Sequence, residues 1–230
     1  MKNNIIFMFI HGFGGGPFEL TPLKEVLKNR GFTVFDLVLP GHLLGKKGLR
    51  SCNVSQWLMA VDSLYNEIKV SHKHAKIIVV GFSMGGLLGA HLGCKYNLDG
   101  FITLNTPIRY WNFENVLLNI KSGIKSKEVN VFKRYLVSCT MYPINALWQF
   151  NKLLYKAKPC FEKITCPTLI IQAKNDDAVH YKSADYILKA VSGQEKKRIF
   201  MDKGGHGLLL GEGKTQAIEH VVRFVEQTYL

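Results

Sequence analysis

A serine lies in the stretch of the sequence with the clearest chemical signature. Gly81–Gly85 reads G-F-S-M-G, directly after the apolar run Ile77–Val80 and directly before a helix predicted to begin near Met84. In a G-x-S-x-G turn the serine occupies a strained corner between a strand and a helix, and the flanking glycines avoid collisions there. The N-terminus of the following helix favours negative charge that develops beside it. The motif in this setting predicts Ser83 as a nucleophile.

The base that this serine requires is one of eight histidines. A serine hydroxyl is a weak nucleophile at neutral pH unless a base accepts its proton. His206 lies in the glycine-rich loop Lys203–Gly207, between the last predicted strand and the last predicted helix. Such a loop begins at the carboxyl edge of a parallel sheet, where Ser83 also emerges, so we predict His206 as the general base. Structural roles are expected for the other histidines, which are His11, His42, His72, His74, His91, His180 and His220.

The acid that orients the imidazole should come from another loop at the same edge. Two adjacent carboxylates, Asp176 and Asp177, follow the predicted strand Thr168–Ala173. Only one of two adjacent side chains can turn inward, and the position after the strand leaves the choice between them open. Asp202 lies on the same connection as His206, and a structural role is expected for it. The order serine, aspartate, histidine is one of the known orders of a catalytic triad along a chain.

A glycine-rich loop, His11–Gly16, follows the first predicted strand. Such loops can bind phosphate, but no G-K-[ST] follows this one and its spacing is not G-x-G-x-x-G. We expect an oxyanion hole, in which the backbone N–H groups of Phe13 and Met84 point at the oxygen that gains negative charge. A plain flexible turn is the alternative for the last two glycines of the loop. His11 is expected to support the loop rather than to transfer protons.

Short apolar runs alternate with amphipathic stretches over most of the chain. This pattern predicts an α/β fold with a mostly parallel central sheet and helices on both faces. The predicted strands are Ile5–Ile10, Thr33–Leu39, Lys76–Phe82, Gly100–Leu104, Thr168–Ala173 and Lys197–Met201. The predicted helices are about Pro17–Asn29, Val54–Val70, Met84–Tyr96, Ser183–Val191 and Lys214–Gln227.

The alternation stops after the fourth predicted strand, where the sequence becomes helical and aromatic. A connection of this length predicts an insertion with structure of its own, a small helical cap at about 107–165 over one end of the sheet. Its aromatic side chains are expected to divide between the core and a substrate pocket. The 230 residues are then one domain that contains the cap.

The composition excludes several other classes of protein. The net charge of +13 is spread along the chain, no nucleic-acid-binding module is visible, and no specific nucleic acid partner is expected. A weak attraction to anionic lipid surfaces is an open alternative, because the stretch Lys121–Lys163 contains more lysines than aspartates and glutamates. Five scattered cysteines without a C-x-x-C pair, and an N-terminal apolar run too short for a signal peptide, predict a reduced cytoplasmic protein. The sequence does not indicate an oligomeric state.

Taken in order, these motifs make the chain resemble the α/β-hydrolase family, and more narrowly the small bacterial carboxylesterases grouped with monoglyceride lipases. The resemblance rests on H-G-F-G from His11, L-P-G-H from Leu39, the Ser83 turn, and the segments Asn175-Asp176 and Gly205-His206. The family pattern G-x-x-D-x-x-V corresponds to residues 173–179. It selects Asp176 as the orienting acid and leaves Asp177 as a loop or surface charge. The chain departs from the family at Leu43, where P-G-H-G is usual, and at Ala173, where glycine is usual.

The resemblance implies a serine carboxylesterase that hydrolyses short- to medium-chain carboxylic esters through an acyl-enzyme on Ser83, with no metal or cofactor. The acyl chain is expected to contact cap side chains such as Met141, Leu147 or Trp148. The same triad serves monoacylglycerol and lysophospholipid lipases and thioesterases, so these activities are alternatives. A non-catalytic ligand-binding protein that keeps the fold is an alternative from a different class.

Overall fold

Six strands form one parallel sheet in the part of the chain that this computed structural model describes, residues 4–108 and 142–230. The order of the strands across the sheet is β2-β1-β3-β4-β5-β6. Their bounds are β1 Ile5–Ile10, β2 Thr33–Leu37, β3 Lys76–Phe82, β4 Gly100–Leu104, β5 Thr168–Ala173 and β6 Lys196–Met201. Every neighbouring pair of these strands is parallel, so all their carboxyl ends lie at one edge. The predicted α/β class with a parallel sheet is confirmed.

Helices connect the strands and cover both faces of the sheet. Their bounds are α1 Thr21–Asn29, α2 Gly45–Ser51, α3 Val54–Ser71, α4 Met84–Lys95, α5 Ile144–Ala157, α6 Lys182–Ala190 and α7 Lys214–Tyr229, with 3₁₀ helices at Pro17–Leu20 and Lys158–Lys163. Side chains of β1 alternate between two buried clusters, with Ile6, Met8 and Ile10 in one and Phe7 and Phe9 in the other. This two-sided burial explains why the central strands are apolar throughout rather than alternating.

Three differences from the predicted elements bear on the fold, besides shifts of one or two residues at other helix and strand ends. Strand β2 ends at Leu37 rather than Leu39, because the Leu39 N–H donates to the His11 imidazole instead of a neighbouring strand. The first predicted helix begins as a 3₁₀ turn, and α1 proper starts at Thr21. Helix α2 was not predicted, because its sequence G-K-K-G-L-R-S is glycine-rich and has no apolar periodicity.

Part of the predicted cap is described, and it packs against the body of the protein. Helix α5 buries Phe150 and Leu153 in the cluster that also contains side chains of α3 and α4. The Gln149 side-chain oxygen accepts a hydrogen bond from the Val54 N–H at 3.2 Å, which joins α5 to the start of α3. The rest of the predicted insertion, residues 109–141, lies outside the described residues. Within the described ranges, no helix combines the length and the apolar content that crossing a bilayer requires.

Candidate active site

Ser83 occupies a strained turn at the carboxyl end of β3. Its backbone has φ 50° and ψ −117°, a conformation that is uncommon for a residue with a side chain. The Ser83 N–H donates to the Leu104 carbonyl at 2.8 Å, and its own carbonyl accepts from the Gly86 N–H at 2.9 Å. The side chain therefore projects from a corner whose backbone is fixed on both sides.

The two glycines of the motif are required by the packing around this corner. A Cβ atom at Gly81 would collide with the Gly85 carbonyl, and a Cβ atom at Gly85 would collide with the carbonyl of Ile10 at the end of β1. The close approach of the turn to β1 brings Ser83, the predicted nucleophile, beside the loop that follows that strand. The spacing G-x-S-x-G is thus a direct consequence of backbone-to-backbone contact.

His206 and Asp176 form a hydrogen-bonded pair at the same edge of the sheet. The Nδ1 of His206 lies 3.1 Å from Oδ1 and 3.0 Å from Oδ2 of Asp176. A carboxylate only accepts hydrogen bonds, so Nδ1 carries the proton and donates it to this contact. In the neutral imidazole, Nε2 is then unprotonated and basic. A general base requires this tautomer.

The carboxylate of Asp176 is fully buried, and backbone N–H groups of the turn that contains it donate hydrogen bonds to it. Its Oδ1 accepts hydrogen bonds from the backbone N–H groups of Ala178 at 2.8 Å and Val179 at 2.9 Å. Asp177 is exposed, and Asp202 is exposed and paired with Lys174. Of the three candidate carboxylates, the structure brings only Asp176 to the imidazole.

The charge of Asp176 controls the protonation of His206. Burial disfavours the imidazolium and lowers the pKa of His206, whereas the charge and hydrogen bond of Asp176 favour the imidazolium. Asp177 and Glu19 add smaller effects in the same direction as Asp176, and the net result is a raised pKa for His206. A carboxylate in this position therefore makes the imidazole a stronger base than an isolated histidine.

Two asparagines position the loop that carries His206. The Asn175 side-chain oxygen accepts from the Gly205 N–H at 2.9 Å. The Asn105 side-chain amide donates to the carbonyls of Gly205 and His206, both at 2.9 Å. The backbone of His206 is thus held from two neighbouring strand ends, those of β4 and β5.

Asn105 is a site residue that the sequence analysis missed. It is fully buried, has φ 48°, and lies directly after β4. In addition to its two donated bonds, its side-chain oxygen accepts from the Ala173 N–H at 2.8 Å. Asparagine tolerates this left-handed conformation better than most residues, and its position after a strand was the available signal.

The loop after β1 is fixed by two side chains. The Nδ1 of His11 donates to the Gly12 carbonyl at 2.8 Å, while its Nε2 accepts from the Leu39 N–H at 3.1 Å. Burial lowers the pKa of His11 to about 4, so this imidazole stays neutral and supports the loop as predicted. Glu19, which the sequence analysis did not single out, accepts from the Gly12 N–H at 3.0 Å.

The predicted oxyanion donors are the backbone N–H groups of Phe13, in the loop after β1, and of Met84, at the start of α4. Met84 begins α4, and N–H groups in the first turn of a helix have no acceptor within the helix. Phe13 follows Gly12, and its ring packs against those of Tyr142 and Phe150, with centroid distances of 5.0 Å and 5.4 Å. These ring contacts anchor the residue whose N–H is expected to bind the oxyanion.

The last link of the predicted triad is the one between Ser83 and His206. The ring of Phe82, the residue before the serine, lies 5.3 Å from the His206 ring between centroids. Hydrogen bonds within the described residues join His206 to Asp176 but do not include one from the Ser83 hydroxyl to the imidazole. Catalytic hydrogen bonds are often long without substrate and tighten in the reacting complex, so this link stays a prediction.

The candidate substrate contacts lie in or near the cap. Met141 is outside the described residues, and Leu147 is half-buried on α5. Trp148 is 55% exposed, and the Lys152 ammonium lies 3.4 Å from the centroid of its ring. Tyr142 contacts the loop after β1, because its ring packs on Phe13 and covers Gly14. The contacts proposed for Leu147 and Trp148 stay predictions.

The pairing with Asp176 yields a prediction about the titration of His206. In Asp176→Asn, burial is no longer opposed by the buried negative charge, so the pKa of His206 should fall from above 6.5 to below it. Asp177→Asn removes an exposed charge and should lower the pKa much less. NMR titration of the imidazole resonances measures both values. Equal shifts in the two variants would contradict the assignment of Asp176 as the partner.

Comparison with known proteins places this site in a family. The family model described as serine aminopeptidase S33 matches residues 2–138, more than half of the chain. A thermostable monoacylglycerol lipase of Bacillus sp. (strain H-257) is 25% identical over 228 residues, covering 94% of this chain and 88% of that protein. A carboxylesterase of Bacillus subtilis (strain 168) is 22% identical over 226 residues, covering 96% of this chain and 92% of that carboxylesterase.

The fold has counterparts among solved structures. One of them, from a study of the metagenome-derived lipolytic enzymes LipS and LipT, superimposes with a TM-score of 0.80. The similarity covers 99% of this chain and 95% of the other, at 18% sequence identity. The predicted α/β-hydrolase fold and the resemblance to bacterial carboxylesterases and monoglyceride lipases are confirmed. The chain belongs to the serine aminopeptidase S33 family of α/β-hydrolases.

Proposed function

We propose that this protein is a serine carboxylesterase that hydrolyses short- to medium-chain carboxylic esters. The observation that carries the proposal is the hydrogen-bonded pair of His206 and buried Asp176, at the sheet edge where Ser83 occupies its strained turn. The proposal gains support from the family and from the names of its two bacterial relatives, a carboxylesterase and a monoacylglycerol lipase.

The reaction begins with attack of Ser83 Oγ on the ester carbonyl. Nε2 of His206 accepts the hydroxyl proton, and Asp176 stabilises the imidazolium that forms. The N–H groups of Phe13 and Met84 bind the oxyanion of the tetrahedral intermediate. His206 then protonates the leaving alcohol, which departs and leaves an acyl-enzyme on Ser83.

Water completes the cycle by the same route. His206 accepts a proton from the water as it attacks the acyl carbonyl, and then returns that proton to Ser83 as the carboxylic acid leaves. Both half-reactions require the neutral imidazole. Because the net pKa of His206 is raised, activity should be lost as the pH falls through that raised value.

Monoacylglycerol hydrolysis is the second candidate. One of the two named relatives is a monoacylglycerol lipase, and the acyl transfer chemistry is identical for both substrates. Lysophospholipid and thioester hydrolysis would use the same nucleophile and base. A protein that binds ligands without turnover would need no alignment of the serine with the imidazole.

A substrate panel separates these activities. Wild-type protein should turn over p-nitrophenyl butyrate and octanoate with higher kcat/KM than monoacylglycerols or acyl-CoA. Ser83→Ala should lower kcat by about a millionfold, because the nucleophile is removed. Ser63→Ala, an exposed serine on α3, is the matched control and should behave as wild type.

Other outcomes of the panel would contradict either the proposed substrate class or the proposed catalytic activity. Higher kcat/KM on monoacylglycerols would favour the second candidate, and turnover of acyl-CoA alone would exclude an esterase. A folded wild-type protein that neither hydrolyses any ester nor reacts with a fluorophosphonate probe would support the ligand-binding alternative.

The positioning of His206 by Asn105 yields a kinetic prediction. Asn105→Gly keeps the left-handed backbone but removes the three hydrogen bonds of the side chain, so the His206 loop loses one of its two anchors. Displacement of a catalytic group by about 1 Å costs roughly a hundredfold in rate, and we expect kcat to fall by that order with little change in KM.

A second variant separates the acceptor role of the Asn105 side chain from its donor role. Asn105→Asp keeps the acceptor for the Ala173 N–H but cannot donate to the carbonyls of Gly205 and His206. It should therefore lose activity as Asn105→Gly does. Steady-state kinetics give kcat and KM, and thermal unfolding confirms that the variants are folded. Wild-type kcat in both folded variants would contradict a positioning role.

A further inference from the structure

Three exposed apolar side chains border the loop after β1, and we refer to them as the apolar rim. Phe18, Leu43 and Leu44 are 56%, 60% and 72% exposed. A Cβ atom at Gly16 would lie 2.7 Å from Leu43 Cδ2 and 3.2 Å from Phe18 Cε1, so both side chains meet over this glycine. The rim therefore adjoins the loop that carries the predicted oxyanion donor Phe13.

The backbone beneath the rim holds the two leucines outward. Leu43 has φ 64°, which is unfavourable for a residue with a Cβ atom, and lies between Gly41 at φ 80° and Gly45 at φ 61°. The preceding His42 is buried and packs against the ring of His11, at a centroid distance of 4.9 Å. Leu43 therefore has a strained backbone and an exposed side chain, although the residue before it is buried and well packed. This combination indicates a function for the Leu43 side chain outside the core.

A cluster of positive charge continues from the rim along α2. Lys46, Lys47 and Arg50 are all exposed. No ion pair involves them within residues 4–108 and 142–230. The sequence contains no acidic residue between Asp36 and Asp62. Exposed cations beside exposed leucine and phenylalanine are typical of surfaces that lie on anionic bilayers.

We propose that the apolar rim and the three cations of α2 bind the surface of an anionic lipid bilayer. Phe18, Leu43 and Leu44 enter the boundary between headgroups and acyl chains, while the cations contact the negatively charged headgroups. This placement sets the loop of Phe13 next to the lipid. The inference goes beyond ester hydrolysis, and it is tested without turnover.

The test is co-sedimentation of the Ser83→Ala protein with vesicles of phosphatidylcholine, alone or mixed with phosphatidylglycerol. We expect binding to the mixed vesicles only. Each basic residue near an anionic surface contributes about fivefold to binding, so K46E/K47E/R50E should weaken it by at least about a hundredfold. Leu43→Gly with Leu44→Ser should weaken it by about tenfold or more, because apolar burial is lost.

A matched control separates a specific surface from overall charge. K73E/K163E/K197E makes the same change in net charge, at exposed lysines beside the amino ends of β3, β5 and β6. Its binding should stay close to that of the Ser83→Ala protein. Equal weakening by both triple variants, unchanged binding of the leucine variant, or no binding to mixed vesicles would overturn the proposal. Circular dichroism checks that each variant is folded.

Discussion

The site depends on the hydrogen bonding between the buried carboxylate of Asp176 and the imidazole of His206. An ionised carboxylate away from water is stable only when hydrogen bonds or a charged partner compensate it. Its own turn supplies the N–H groups of Ala178 and Val179, and His206 supplies the Nδ1–H donor. The arrangement that stabilises the negative charge also fixes the tautomer of the imidazole. The stability of the buried charge and the catalytic role predicted for His206 therefore depend on the same contact.

Parallel topology brings the parts of the site together from distant positions in the sequence. The segments that carry Ser83, Asn105, Asp176 and His206 follow strands β3, β4, β5 and β6. Because these strands run in the same direction, all four segments lie at the carboxyl edge of the sheet. Left-handed backbone conformations at Ser83 and Asn105 turn the chain sharply where it leaves its strand. The site is thus assembled from the ends of regular elements, which limits how far its groups can move.

Residue types and patterns along the chain were sufficient to predict most of the fold and to select candidate site residues that the structure places at one edge of the sheet. The bounds of β1, β3, β4 and β5 agree with the apolar runs, because strands buried on both faces have little freedom in composition. The G-x-S-x-G motif was informative for a related reason, since its glycines are required by contacts with the backbone of β1 and of the turn itself. The inward orientation of Asp176 agreed with a family pattern, whereas the position after β5 alone did not separate it from Asp177.

Features that depend on tertiary contacts could not be predicted in this way. Asn105 has no local motif, and its importance follows from bonds to residues about seventy and one hundred positions away. Glu19 likewise acts through a contact with the backbone of Gly12, seven positions away. Helix α2 is stabilised by the close packing of Gly48 on Gly41, which helix propensity does not include. Contacts outside the residue's own strand or helix decided each of these cases.

A crystal structure of the protein after reaction with an alkyl phosphonate ester would show directly whether Ser83, His206 and Asp176 act together. We expect a covalent bond from phosphorus to Ser83 Oγ, with Nε2 of His206 within hydrogen-bond distance of the adduct. The phosphonyl oxygen should accept hydrogen bonds from the N–H groups of Phe13 and Met84. An adduct on another residue, or an imidazole turned away from Ser83 while still bound to Asp176, would rule out this triad.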